Sequence, residues 1–131
     1  MNWVHETLAE FGRQIGLTGF APGTHGVAQL RLESGGLLAV EAVTRGSSDE
    51  VLVYLGQPMG FDADRLRMAA LEKVRETRGG PYAIQVATRG DGPQAMLLML
   101  VRVPERQFTV QTLGQAVDYL GRWFADLAAS R

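Results

Sequence analysis

The chain has no cysteine among its 131 residues. That excludes disulfides, a thiol nucleophile and thiolate metal sites, and it fits a reducing compartment. Net charge is nearly absent as well, at −1. A balance so close to neutral supplies no basic field for nucleic acid and no polybasic anchor for a membrane surface. Long hydrophobic runs are missing too. The longest, AMLLMLV at 95–101, is far short of the roughly 20 residues a membrane-spanning helix needs. The first residues, MNWVHETLAEF, lack the basic start and apolar stretch of an export signal, so a cytoplasmic protein without membrane insertion is expected.

Catalytic parts are equally scarce. There are two histidines, His5 and His25, and neither has metal-ligand spacing with another donor. Ser34, Ser47, Ser48 and Ser130 fall in expected turns or at the terminus, without a nucleophile elbow around any of them. No phosphate-binding loop or dinucleotide fingerprint occurs. Asp62 and Asp64 stand at a helix start, where the helix dipole accounts for them. Arg89-Gly90-Asp91 spells an adhesion tripeptide but lies in an expected hairpin turn. The expectation is a protein that is not an enzyme and takes no cofactor.

Apolar residues are plentiful, at 46% with 21% charged, the balance of a globular protein. The length predicts one domain over residues 1–131. A first helix is expected at 3–15, where Val4, Leu8, Phe11 and Ile15 recur at helical spacing. Three strands follow, at 27–33, 37–44 and 51–55, joined by connections too short for parallel crossovers. The central helix is the clearest element, at 61–78, with Asp62 as its cap and Gly79-Gly80-Pro81 as its stop. Two more strands are expected at 82–88 and 95–103, then a last helix at 110–128 capped by Thr109. The last helix has an apolar stripe, Leu113, Val117, Leu120, Phe124 and Leu127. Beside it runs a small-residue stripe, Gly114, Gly121, Ala125 and Ala128, suited to close approach of another element. The order α-β-β-β-α-β-β-α predicts an α+β fold, an antiparallel twisted sheet with helices packed on it.

These elements carry more apolar faces than one small core needs. On the central helix, Ala63, Leu66, Ala70, Leu71 and Val74 spread over roughly 140° where a single contact needs about 100°. Met68 lies beyond that arc and Arg67 inside it. Either the helix is a loosely amphipathic one, or it makes a second contact with another copy of the chain. The second strand and the run at 95–103 are apolar on both faces, which points to a partner unless helices cover the sheet.

Several local patterns resemble a known family. FGRQIGL at 11–17, GVAQLRL at 26–32, VLVYLG at 51–56, the long strand into Val103-Pro104, and Leu113, Leu120, Trp123 and Phe124 on the last helix are similar to the class I type III secretion chaperones, the Tir-chaperone-like family. The likeness spans nearly the whole chain. It implies a cytoplasmic homodimer that holds the N-terminal segment of a secreted effector in a soluble, export-competent state. In that family the central helix and the strand after it build the dimer interface. The matching positions here are Leu66, Arg67, Met68, Ala70, Leu71, Val74, Ile84 and Val86. Effector grooves use the first helix and the first strands, which correspond to Val4, Leu8, Phe11, Leu30, Leu32, Leu38, Val40 and Val53. The near-neutral charge, where many members are acidic, implies a partner bound chiefly through apolar contacts. A different reading of the same elements is a regulatory scaffold of roadblock or profilin-like type, which would place two strands before the central helix and three after it.

Overall fold

The computed structural model describes residues 2–15, 27–31, 36–45, 48–60, 63–76, 84–90 and 95–129. The elements are α1 (Asn2–Gln14), β1 (Val27–Arg31), β2 (Leu37–Arg45), β3 (Ser48–Pro58), α2 (Ala63–Glu76), β4 (Ile84–Arg89), β5 (Met96–Pro104) and α3 (Val110–Ala129). A short 3-10 turn, Glu105–Gln107, separates the last strand from the last helix. Three strands precede α2 and two follow, the chaperone-like arrangement. The expected cap Asp62, the stop at 79–81, the turns at 34–35 and 91–93, Tyr82 and His25 lie outside the described residues.

The five strands form one antiparallel sheet in the order β1-β2-β3-β5-β4. Because β3 and β4 both run antiparallel to β5, they point the same way. The chain therefore passes from β3 over the sheet through α2, lands on the far edge as β4, and returns as β5 between them. Only a helix-length connection can make such a crossover.

The alternation of side chains divides the sheet into two unlike faces. Paired residues share a face, so Val40, Val53, Val101 and Ile84 make one row across four strands. Leu38, Leu55, Met99 and Val86 make the next. The residues of these rows on β2, β3 and β5 are buried, and those on β4 are half-buried. Over them lie Leu8 and Phe11 of α1, Leu66 and Ala70 of α2, and Leu113, Ala116, Leu120, Trp123, Phe124 and Leu127 of α3. Each large side chain fully removed from water contributes about 1.5–3 kcal/mol. The three helices thus share one core on one face of the sheet.

The end of α3 nearest the sheet is fixed by a reciprocal cap. The Thr112 backbone N–H donates to Thr109 Oγ1 at 3.1 Å, and the Thr109 N–H donates to Thr112 Oγ1 at 2.7 Å. Two donors that the helix cannot satisfy internally are paired in this way.

Two expectations about β2 and β3 need revision. β2 and β3 outrun the expected 37–44 and 51–55: they stay paired out to Arg45 and Ser48, and Thr44 Oγ1 donates to Asp49 Oδ1 across the ladder at 2.8 Å. At the other end β3 runs past the expected limit at residue 55 through Gly56, Gln57 and Pro58, because β5 pairs with it as far as Met96. β2 pairs with β3 only as far as Gly56, so Gln57 and Pro58 are held by β5 alone.

Candidate partner-binding surfaces

The outer face of the sheet is the first surface. Its side chains are Leu37, Leu52, Tyr54, Met96, Leu98 and Leu100, with Ala39 and Gly56 between them. The six larger ones are half-buried, and none belongs to the core that the helices cover. Gly56 makes the centre of this face flat. A methyl group there would meet Leu98 Cδ2 at 2.6 Å, so Leu98 lies across the glycine. Polar groups border the apolar centre. Tyr54 donates its hydroxyl proton to Glu41 on the neighbouring strand. Burial, followed by the hydrogen bond to Glu41 and the Glu41 charge, pushes the phenol well above its ordinary range, while the Arg89 charge opposes the shift. At the opposite side Arg102 Nε donates to Gln85 Oε1 at 3.0 Å, and its Nη1 lies 3.9 Å from Glu50 Oε1.

The second surface is the outward side of α2. Met68 is 63% exposed and Leu71 51% exposed, one turn apart on the same side. Arg67 pairs with Asp64 at 3.0 Å on its own helix. The other positions of the expected dimer interface lie differently. Leu66 and Ala70 point into the core, and Val74, Ile84 and Val86 are half-buried against it. The wide arc is thus split: its inner part packs on β4 and α3, and its outer part is free of the chain's own core.

The contact between α2 and α3 has a polar clamp. Lys73 Nζ sits 5.6 Å from the centroid of the Trp123 ring and 3.8 Å from Asp126 Oδ2. A cation over an indole face is worth about 0.5–1 kcal/mol at partly exposed sites. The Trp123 Nε1–H is buried and finds no acceptor among the described residues. Sequence reasoning missed this clamp, because nothing local in the chain places residue 73 beside residue 123.

The expected effector positions are mostly used up by the core. Leu8, Phe11, Leu38, Val40 and Val53 are buried on the inner face beneath the helices. Their side chains offer a partner no outward surface. Helical and strand periodicity finds the buried side of an element but does not say whether the chain's own core or a second chain buries it. Leu30 is half-buried at the edge, while the side chain of Val4 and all of Leu32 lie outside the described residues.

One cavity, of about 370 Å³, opens where α2, α3 and the end of β3 meet. Met59, Leu66, Leu97 and Phe124 form its apolar floor, and Gly121 and Ala125 stand at its exposed mouth. At Gly114 and Gly121 of the small-residue stripe a methyl group would meet nothing within 4 Å.

Among the described residues no three of histidine, cysteine, aspartate and glutamate come together to hold a metal ion, and no helix is long and apolar enough to cross a membrane. The profile of the family described as type III secretory system chaperone SycN matches residues 3–127. The chain belongs to that family. The chaperone's fold is also that of solved relatives. The HopA1–SchA chaperone–effector complex contains a chain that matches it at a TM-score of 0.69 and 13% identity, covering 95% of this chain and 92% of that one. The ExsC–ExsE complex contains another at 0.67 and 17% identity, covering 91% and 86%. At such identities the likeness is one of fold. No curated protein is significantly similar to the chaperone in sequence.

Proposed function

We propose that this chaperone acts in the cytoplasm as a homodimer that binds the N-terminal segment of a secreted effector and keeps it soluble and competent for export, by binding alone and without catalysis. The observation that carries the reading is the unequal treatment of apolar surface. The inner face of the sheet is covered by three helices, whereas among the described residues the half-buried apolar side chains of the outer sheet face lie outside that core and the Met68–Leu71 ridge of α2 is exposed. Uncovered apolar area on this scale marks contact surfaces. Two chains of the same fold occur in chaperone–effector or comparable two-protein complexes.

The dimer contact falls to Met68 and Leu71, with Arg67, Val74, Ile84 and Val86 at its margin; Leu66 and Ala70 support it from beneath. Effector contact takes Leu30 at the sheet edge, with Val4 and Leu32 added on the family likeness alone, while Leu8, Phe11, Leu38, Val40 and Val53 support it from within the core. The bound segment is expected to be apolar and extended, since half-buried side chains and open sheet edges receive such a chain through pockets and main-chain hydrogen bonds.

The test has two steps. Proteins retained by the tagged chaperone from its native cytoplasm are identified by mass spectrometry, then expressed again with and without their N-terminal segments. The expected result is co-purification and solubility that depend on that segment. A partner held equally well after its N-terminal segment is deleted would contradict the reading.

A further inference from the structure

The cavity between α2, α3 and the end of β3 belongs to neither of the outward surfaces. Gln57 and Leu97 are cross-strand partners where the inner face of the sheet runs out, and Met59 beyond them donates its backbone N–H to the Ala95 carbonyl oxygen at 2.9 Å. Leu66 of α2 and Phe124 and Leu127 of α3 complete the walls. Met59, Leu66, Leu97, Phe124 and Leu127 are core residues, whereas Gly121 and Ala125 at the mouth are exposed. Gly121 keeps that mouth open. Glycine is a poorer helix former than alanine, and a methyl group there would meet nothing within 4 Å, so no described neighbour requires it.

The lining dictates the kind of occupant. Among the described residues no charged side chain lines the cavity, and Gln57 is the only lining side chain that can hydrogen-bond. A charged group would lose its water there without compensation. The volume, about 370 Å³, is more than twice the roughly 150 Å³ of a protein cavity that holds one benzene ring. A single ring would leave more than half of it unfilled. Met59 offers a thioether and Phe124 a ring, and both make favourable contacts with aromatic groups. The Phe124 ring is itself held edge-on against Trp123, with centroids 5.9 Å apart. We infer that this cavity binds a small, uncharged aromatic molecule of two fused rings, whose single N–H or O–H donates to the carboxamide oxygen of Gln57. The site lies on the core side of α2, away from Met68 and Leu71, and the inference does not depend on the homodimer or effector reading.

Indole, an uncharged two-ring compound with one N–H, is the probe. NMR of the full chain with isotope-labelled methionine methyl groups reports where it goes. Met59 stands in the cavity, Met99 in the closed core, Met96 on the outer sheet face and Met68 on the exposed side of α2. The expected result is a saturable shift of the Met59 methyl, with those of Met68, Met96 and Met99 unmoved. Gly121→Leu and Ala125→Leu each fill the mouth and are expected to abolish the shift, while an unchanged Met99 methyl shows that the variant is folded. N-methylindole, which lacks the donor, is expected to bind more weakly than indole to the wild type and no more weakly to Gln57→Leu. An indole titration that leaves the Met59 methyl in place overturns the inference. So does a shift at Met68 or Met96 instead, which marks adsorption on exposed apolar faces. Benzene or decanol bound as tightly as indole refutes the fused-ring class. If the Met59 methyl answers to a capped leucine dipeptide and not to indole, the cavity takes a partner chain's side chain and the inference fails.

Discussion

Leu71 and Leu120 are both leucines in helices, and the structure assigns them opposite consequences when changed to aspartate. Leu71 is 51% exposed on α2, so the change forfeits about half of a leucine's burial, roughly 1 kcal/mol. Aspartate is also the poorer helix former, by about half a kcal/mol. The new carboxylate would stand one turn from Arg67 and one turn from Arg75, and each such pair returns about 0.2–0.5 kcal/mol. The net cost to one folded chain is about 1 kcal/mol, a fall in melting temperature of about 3–5 °C at this size. Leu120 is fully buried midway along α3. Truncation alone there costs about 2–5 kcal/mol, and a carboxyl group stranded in the core adds several more by desolvation. The sum approaches the whole stability of a domain, about 5–15 kcal/mol. Urea denaturation followed by far-UV circular dichroism measures both variants. It must be run at chain concentrations below the dimer dissociation constant, because association adds stability by mass action. Sedimentation velocity at higher concentration then reads the oligomeric state. The expected outcome is a folded, monomeric Leu71→Asp and an unfolded Leu120→Asp. Equal loss of stability in the two variants would refute the division of α2 into a core side and a contact side.

Three further outcomes follow from other contacts. Thr109→Ala removes half of the reciprocal cap on α3 and is expected to cost about 1 kcal/mol by thermal denaturation. Gly36→Ala would bring a methyl group to 2.7 Å from the backbone carbonyl oxygen of Gly56, so it is expected to lower the urea midpoint, whereas Gly121→Ala, which meets nothing, is expected to leave it unchanged or raise it. Tyr54 is held protonated in the fold by burial and by Glu41, so ultraviolet titration should show it ionising above the ordinary range of a tyrosine. Since its folded pKa lies above the unfolded value of about 10, the stability it contributes is complete below that pH and falls away as the pH rises beyond it. Tyr54→Phe should flatten that alkaline decline.

The helices were the most legible part of the chain. Leu113, Leu120 and Leu127 repeat at seven-residue intervals, and Thr109 declares the start of α3 by itself. The strands were legible in number and order but not in length. Polar residues such as Asp49 and Glu50 fall outside the expected strands until they are known to face Thr44 and Val43 across a ladder. The surfaces were the least legible. Val40 and Val53 were expected to meet a partner, yet they pair with each other in the buried row that runs on to Val101, because alternation marks a buried side without saying what buries it. The sheet order decides that, and the order depends on β5 inserting between β3 and β4, a long-range choice no local pattern records. The Lys73–Trp123 clamp and the α3 cavity were invisible for the same reason.

The crossover through α2 also has a temporal meaning. A chain leaves the ribosome from its N-terminus, and its first three strands are joined by short hairpin-like connections that can pair as soon as they emerge. The free side of β3 then has no neighbour until β5 has been made, some fifty residues later, since Glu50 pairs with Pro104. The main cover for the inner face, α3, arrives after that. During synthesis the molecule is therefore an open half-sheet with its valine rows in water and an unpaired edge, the kind of surface that aggregates. The chaperone itself passes through a stage in which its own apolar rows are unshielded, and the length of that stage is fixed by the position of β5 in the sequence.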